Sequence, residues 1–147
     1  MANTVIGKAY LNIRDEKLAG GTITPGMLVE RNSSDAVVAH STAGGAAQKL
    51  FAVEDDKQGR PQTTNYTSGE LVQLWAPVPG ERVYAILDDA TGTVSVIGDF
   101  LQSAGDGRLK PAEPLLSSAG VPEFPNAIVA VALAAAVAGA RVLVEIV

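Results

Sequence analysis

The chain has 147 residues, a formal net charge of -5 and no cysteine. Its length is typical of one domain with its own core, and the lack of cysteine excludes disulfides, thiolate metal sites and cysteine nucleophiles. The acidic balance argues against electrostatic binding to nucleic acid, which needs clustered lysine and arginine. Hydrophobic residues make up 47% of the chain and aromatic residues only 5%, so the core must consist mainly of small aliphatic side chains, as in short strands.

The first twenty residues mix apolar and charged positions without a sustained period, and they end in two glycines. We predict Met1–Gly20 as an extended N-terminal arm and residues 21–147 as a single domain. On pattern alone, a first strand within Thr4–Ile13 that pairs inside the domain is an equal alternative. The N-terminus lacks the basic region and the apolar region of a secretory signal, so we expect none.

Short strands separated by turns are predicted between Gly21 and Val53. Pro25-Gly26 lies between two strand-like runs and has the residues of a type II turn. Two brief strands follow, Ala36–His40 and Leu50–Val53. The chain has no other histidine and no cysteine to complete a metal site around His40, so we interpret it as a structural residue.

The clearest strand pattern lies in the middle of the chain. Three runs, Glu70–Ala76, Arg82–Leu87 and Thr93–Ile97, are each followed by turn residues, and the last two alternate along the chain as half-buried strands do. This pattern predicts a meander of three short strands. None of the three contains an obvious nucleophile, metal ligand or general base, so we interpret this region as scaffold.

The last third of the chain is predicted to end in a hairpin. Asp99–Ala104 is predicted to form one helical turn, and Asp106-Gly107 a bend or hairpin turn. Ile128–Leu133 is apolar on both faces, as in a strand buried on both sides, and Arg141–Val147 alternates. A connection through Ala134–Ala140 closes the pair. This apolar tail is too short, and too rich in alanine and glycine, for a membrane span.

The order of these segments resembles the small head-decoration, or capsid-cement, proteins of tailed bacteriophages. The segments that carry the resemblance are TPGMLVE, LFAVED, GELVQLWAPVPGERVYAIL, GDFLQSAGDGRLKP and the final apolar hairpin. Its most specific parts are Pro79–Val83 and Gly98–Gly107. The resemblance implies an all-β fold, a small β-barrel or β-tulip of short antiparallel strands with an extended N-terminal arm. It also implies a structural virion protein that binds the outer surface of the expanded capsid and stabilises it, without catalytic residues, metal or cofactor.

The resemblance further implies the partners and the contact residues. The expected partner is the major capsid protein, the expected assembly is a homotrimer, and no nucleic acid or membrane is expected to bind. The expected location is the exterior of the virion, after synthesis in the host bacterial cytoplasm. Family members use an N-terminal arm to bind the capsid, so the predicted capsid-binding residues are Val5, Ile6, Tyr10, Leu11 and Ile13. Apart from the resemblance, aromatic side chains are typical of either a core or a subunit interface, and we predict Trp75 and Tyr84 at the subunit interface, with the core as the alternative.

Other functions stay open at this point. In a small-molecule-binding, β-clip-like barrel or an enzyme accessory domain, polar side chains converge on a pocket, and the candidates are His40, Glu54, Asp55 and Arg82. A stand-alone enzyme is disfavoured by the single histidine and the lack of a nucleophile elbow, so we expect no enzymatic activity. The acidic run Glu54–Asp56, together with Asp88 and Asp89, lacks the spacing of a calcium loop, and we interpret it as solvated turns.

Overall fold

A computed structural model describes residues 4–112, 115–116, 119–120, 122–123 and 127–147. Over these residues the fold is all-β, which confirms the predicted class, and the short 3₁₀ helix Asp56–Gln58 interrupts it. The strands are β1 (Ile6–Lys8), β2 (Arg14–Leu18), β3 (Leu28–Arg31), β4 (Val37–Ala39), β5 (Leu50–Ala52), β6 (Leu71–Trp75), β7 (Arg82–Ile86), β8 (Val94–Ser95), β9 (Phe100–Ser103), β10 (Leu109–Pro111), β11 (Leu115–Leu116), β12 (Pro122–Glu123), β13 (Ile128–Ala132), β14 (Ala136–Val137) and β15 (Arg141–Ile146). No helix in the described part of the chain has the length and apolar character needed to cross a membrane.

The larger sheet has six antiparallel strands in the order β1-β7-β15-β13-β9-β10. Its longest pairing is β7–β15, whose register runs from Arg141 opposite Ile86 to Glu145 opposite Arg82. Along β15 the side chains alternate between partly exposed and buried, as the period of two predicts. The buried set, Val142, Val144 and Ile146, packs in the main core.

The smaller sheet has five antiparallel strands in the order β2-β6-β5-β3-β4. The predicted Pro25-Gly26 turn precedes β3, and the amide of Met27 donates to the carbonyl of Thr24 at 3.0 Å. Gly26 has a φ of 98°, and a β-carbon there would lie 3.0 Å from the carbonyl oxygen of Tyr84. Both the left-handed backbone and this close approach require glycine.

The two sheets are curled but are not closed barrels. In the smaller sheet, one parallel bridge joins Ala19, at the end of β2, to Val37 in β4. In the larger sheet, one parallel bridge joins Leu87, just after β7, to Leu109 in β10. A single bridge is not a continuous ladder, so the predicted single barrel is replaced by two incompletely closed sheets.

Two local predictions were wrong. The predicted meander is absent, because β6 belongs to the five-stranded sheet, β7 to the six-stranded sheet and β8 to a two-stranded ribbon with β14. Alternation identified the three strands correctly but contains no information about their pairing partners. Asp99–Ala104 does not form a helical turn; Phe100–Ser103 is strand β9, which pairs with β10 and β13.

A shared core joins the two sheets. The main cluster combines Phe51 and Trp75 from the five-stranded sheet with buried residues of the six-stranded sheet, such as Val83 and Val144. A second cluster consists of buried residues of the five-stranded sheet and of side chains from its connecting segments, such as Tyr66. The two sheets therefore share one core, which also contains Val5 of the N-terminal segment.

Candidate interaction surface

The N-terminal segment is docked onto the domain from Val5 onward. The side chain of Val5 is fully buried in the main core. Its amide donates to a carboxylate oxygen of Glu54 at 2.9 Å, and its carbonyl accepts from the amide of Tyr84 at 2.8 Å. Ile6 follows in β1, opposite Val83. Within the described residues 4–20, the predicted free arm is therefore replaced by the predicted alternative, a first strand that pairs inside the domain.

The chain then crosses from one sheet to the other. β1 lies at the edge of the six-stranded sheet, and β2 lies at the edge of the five-stranded sheet, opposite β6. Residues 9–13 form the connection, which we call the crossover loop. Its end is fixed by the amide of Ala76, which donates to the carbonyl of Ile13 at 2.9 Å. Asn12 lies within it at a φ of 50°, a value that asparagine tolerates better than most residues.

Three of the five predicted capsid-binding side chains lie on this crossover loop and face solvent. Tyr10, Leu11 and Ile13 are exposed by 64%, 65% and 47%. The ammonium group of Lys8 lies 5.0 Å from the centroid of the Tyr10 ring, within the range of a cation–π contact. The structure thus brings these three side chains together on one loop, whereas Val5 and Ile6 belong to the packed domain.

The two aromatic residues predicted at a subunit interface have different environments. Trp75 is fully buried by its own chain, in the main core, so its side chain has no surface to offer to another subunit. Tyr84 is partly buried in β7, opposite Leu143 of β15. For Trp75, the core position is the one of its two predicted environments that is observed.

The candidate ligand-binding side chains have separate partners. Glu54 accepts from the Val5 amide, and Arg82 donates to Glu145 across β7–β15 at 3.3 Å. Asp55 lies at the start of the 3₁₀ helix. His40 is buried and is bonded to the segment that follows it and to β9. The convergence that a small-molecule pocket requires is not observed for these four residues.

His40 belongs to a buried network that the sequence did not reveal. Its Nε2 donates to the carbonyl of Ala46 at 3.1 Å, and its Nδ1 is hydrogen-bonded to the hydroxyl of Ser103 at 2.7 Å. A carboxylate oxygen of Glu30 lies 3.7 Å from Nε2. These residue types also occur in serine hydrolases, but the Ser103 side chain is fully buried and also accepts from the amide of Gly105. The network joins the end of β4 to β9 and therefore links the two sheets.

Acidic residues from two turns meet beside an arginine. One carboxylate oxygen from each of three residues, Asp88, Asp89 and Asp106, lies within 4.8 Å of the other two. The candidate group in the sequence was different: it combined Asp88 and Asp89 with the acidic run Glu54–Asp56. The guanidinium of Arg108 lies 2.8 Å from Asp106 and 3.3 Å from Asp89. An internal cation thus balances part of the negative charge that a metal ion would otherwise neutralise.

Ion pairs line the seam between β2 and the β3–β4 hairpin. Lys17 pairs with Asp35, and Arg31 pairs with Asp15 at 3.0 Å. The hydrogen bond from Lys17 lowers the pKa of Asp35. The pKa of Asp15 is lowered first by the amide of Glu16 and also by Arg31. These exposed pairs place alternating charges on a sheet edge, which discourages the edge from pairing with other chains.

One buried and one partly buried polar side chain have shifted pKa values. Burial raises the pKa of Tyr66 to about 12, and its hydroxyl donates to the carbonyl of Val53 at 2.7 Å. Burial also lowers the pKa of Arg141, whose Nη2 donates to the carbonyl of Gln62 at 2.7 Å. Both groups fasten loops to the sheets and are structural in this arrangement.

The fold resembles that of a known phage head protein. The chain is similar to the N base of the head fiber gp8.5 of bacteriophage phi29, with a TM-score of 0.59 and 14% sequence identity. The similarity covers 93% of this chain and 95% of that chain. No protein-family model and no curated protein sequence matches the chain. At this level of identity, the likeness is one of fold and extends over nearly the whole of both chains.

Proposed function

We propose that this protein is a structural component of a bacteriophage head that binds the outer surface of the expanded capsid and stabilises it. The observation that carries the proposal is the likeness in fold, over nearly the full length of both chains, to the base of a phage head fiber. The sequence segments that resemble head-decoration proteins support the same class of function. The proposed location is the exterior of the virion.

The proposed partner is the major capsid protein, and the proposed contact is the crossover loop. Tyr10, Leu11 and Ile13 project apolar surface from a segment that is fixed at both ends by the two sheets. A loop held in this way loses less conformational entropy on binding than a free arm, for which each ordered backbone residue costs about 1–2 kcal/mol. Val5 and Ile6 support the loop from within the domain.

A non-catalytic role is part of the proposal. The Ser103 hydroxyl and the His40 ring are both buried, so the described residues that most resemble catalytic machinery are inaccessible to a substrate. A stabilising role also suits a homotrimer, which we propose on the basis of the sequence resemblance. Once one subunit is bound, the contacts of the others become intramolecular, so modest individual contacts suffice.

Co-sedimentation with expanded capsids that lack the protein tests this function. We expect binding that saturates at a fixed number of copies and raises the temperature at which the capsids release their contents. An unrelated acidic protein of similar size is the control for protein that is carried into the capsid pellet without binding. The proposal fails if binding does not saturate, and the stabilising role fails if saturated capsids release their contents at the same temperature as bare ones.

A further inference from the structure

The crossover loop lies between two positive charges on a chain that is acidic overall. Lys8 precedes the loop, Arg14 follows it, and both side chains are exposed. The chain has a formal net charge of -5, yet residues 1–14 contain these two cations and no aspartate or glutamate. The three exposed apolar side chains of the loop are therefore bracketed by a cation on each side.

The nearest acidic residues along the chain are already paired with other cations. Within the part of the chain that the structure describes, no carboxylate forms an ion pair with Lys8 or with Arg14. The two acidic residues that follow Arg14 form the pairs Asp15–Arg31 at 3.0 Å and Glu16–Lys57 at 2.6 Å. The protein's own charges therefore leave the two ends of the loop positive.

A recess beside the loop does not reverse this charge. Its volume is about 640 Å³, and Arg14 and Lys57 line it together with Glu16 and Asp56. The pKa of Lys57 is raised first by its hydrogen bond to Glu16 and also by the negative charge of Asp56. The two cations and the two carboxylates balance each other within the recess. Lys8, on the other side of the loop, has no such counterpart among the described residues.

Lys8 occupies a position where the fold alone favours an anion. It lies directly opposite Arg82 in the β1–β7 pair, and like charges in this position repel each other. Arg82 is compensated on its other side by Glu145, at 3.3 Å, whereas the ammonium group of Lys8 lies over the ring of Tyr10. Residues that break a local rule of pairing are expected at functional sites. The cation–π contact places this charge beside the exposed apolar side chains of the loop.

We propose that the crossover loop binds an acidic site on its partner, an apolar patch of the capsid protein flanked by aspartate or glutamate side chains. The inference rests on the proposed function for the identity of the partner. The apolar side chains of the loop cover the patch, and Lys8 and Arg14 meet the carboxylates. Six residues separate the two cations along the chain, so the carboxylates lie at most about 20 Å apart.

The acidity of the rest of the protein makes this contact specific. Lys8 and Arg14 belong to strands that are paired in the two sheets, so their backbone positions are fixed before binding. An acidic site on the capsid repels the net negative charge of the chain and attracts only its positive segment. The charges thus select the orientation in which the crossover loop faces the capsid.

Charge reversal in co-sedimentation with expanded capsids tests the inference. We expect Lys8→Glu to raise the Kd about tenfold or more at about 50 mM salt, and the ratio to the wild-type Kd to approach one at about 500 mM salt. Lys110→Glu is the matched control, because it changes the net charge equally on β10, at the other edge of the six-stranded sheet. The control should shift the Kd by less than about threefold.

Stability measurements separate lost binding from lost folding. A glutamate at position 8 faces Arg82, so the melting temperature of Lys8→Glu should not fall. A second pair of variants, Arg14→Gln and Lys110→Gln, repeats the comparison by removing charge without reversing it. Wild-type protein that binds saturably while the loop variants bind like their controls, or more tightly, would overturn this inference and leave the proposed function intact. Absence of saturable wild-type binding would contradict the proposed function, and this inference with it.

Discussion

The amide of Val5 donates a 2.9 Å hydrogen bond to the carboxylate of Glu54, and this bond fixes the N-terminal segment to the loop after β5. The two residues are 49 positions apart in the chain. With Val5 fixed, the crossover loop is held between two sheets and presents its apolar side chains to solvent. Of the two organisations that the sequence leaves open for this segment, an extended arm and a strand that pairs inside the domain, the second is observed at β1.

Removing this anchor should loosen the N-terminal segment. Glu54→Ala leaves the buried Val5 amide without an acceptor, and an unsatisfied buried donor costs about 1–3 kcal/mol. We expect the free energy of unfolding to fall by about this amount and amide exchange at Val5 and Ile6 to accelerate, as measured by hydrogen exchange. Asp56→Ala, at an exposed neighbouring carboxylate, is the control. Unchanged exchange in Glu54→Ala would show that the bond does not hold the segment.

The crossover loop should contribute directly to capsid affinity. Leu11→Asp removes an exposed apolar side chain whose burial is worth about 1.5–3 kcal/mol. We therefore expect capsid binding to weaken about 10- to 100-fold, with no change in the melting temperature. Leu18→Asp, at an exposed leucine on β2, is the control and should bind like the wild type. Equal losses for the two variants would exclude the crossover loop as the specific contact.

Trp75 should act as a core residue. Trp75→Ala leaves a large cavity at the junction of the two sheets, and such substitutions cost about 3–5 kcal/mol. Urea unfolding followed by circular dichroism should show a loss of this size, and a smaller one for Tyr84→Ala at the partly buried position. If Trp75 were an interface residue instead, its substitution would weaken association and leave the stability of the monomer almost unchanged.

The phenol of Tyr66 should limit stability at high pH. Burial raises its pKa to about 12 in the folded protein, above the ordinary value of 10.0. The folded state thus favours the neutral phenol. The contribution of this phenol to the free energy of unfolding is present in full below pH 10 and is lost as the pH rises from 10 towards 12. Tyr66→Phe should remove this pH-dependent loss. The measurement is the free energy of unfolding from pH 8 to 11; identical slopes for both proteins would contradict the assignment.

Local chemistry predicted the elements of this fold better than their arrangement. The Pro25-Gly26 turn and the alternation along β15 depend on neighbouring residues, and both were read from the sequence. The separation of β6, β7 and β8 into three sheets was missed, because a period of two describes the faces of a strand and not its neighbours.

The site was only partly predictable for the same reason. The apolar residues of the N-terminal segment were identified, but their division into buried Val5 and exposed Leu11 depends on Glu54 and on the core at the junction of the sheets. The link between His40 and Ser103 spans 63 positions, and nothing in the local sequence signals it. Contacts of this kind are set by topology.

The central claim is that this protein binds the outside of the capsid through its crossover loop. The most direct measurement is a cryo-electron microscopy map of expanded capsids saturated with the protein. We predict additional density on the outer surface into which the two curled sheets fit, with Tyr10, Leu11 and Ile13 against the capsid shell. A map without added density on the outer surface, or one in which the crossover loop faces solvent, would contradict the account.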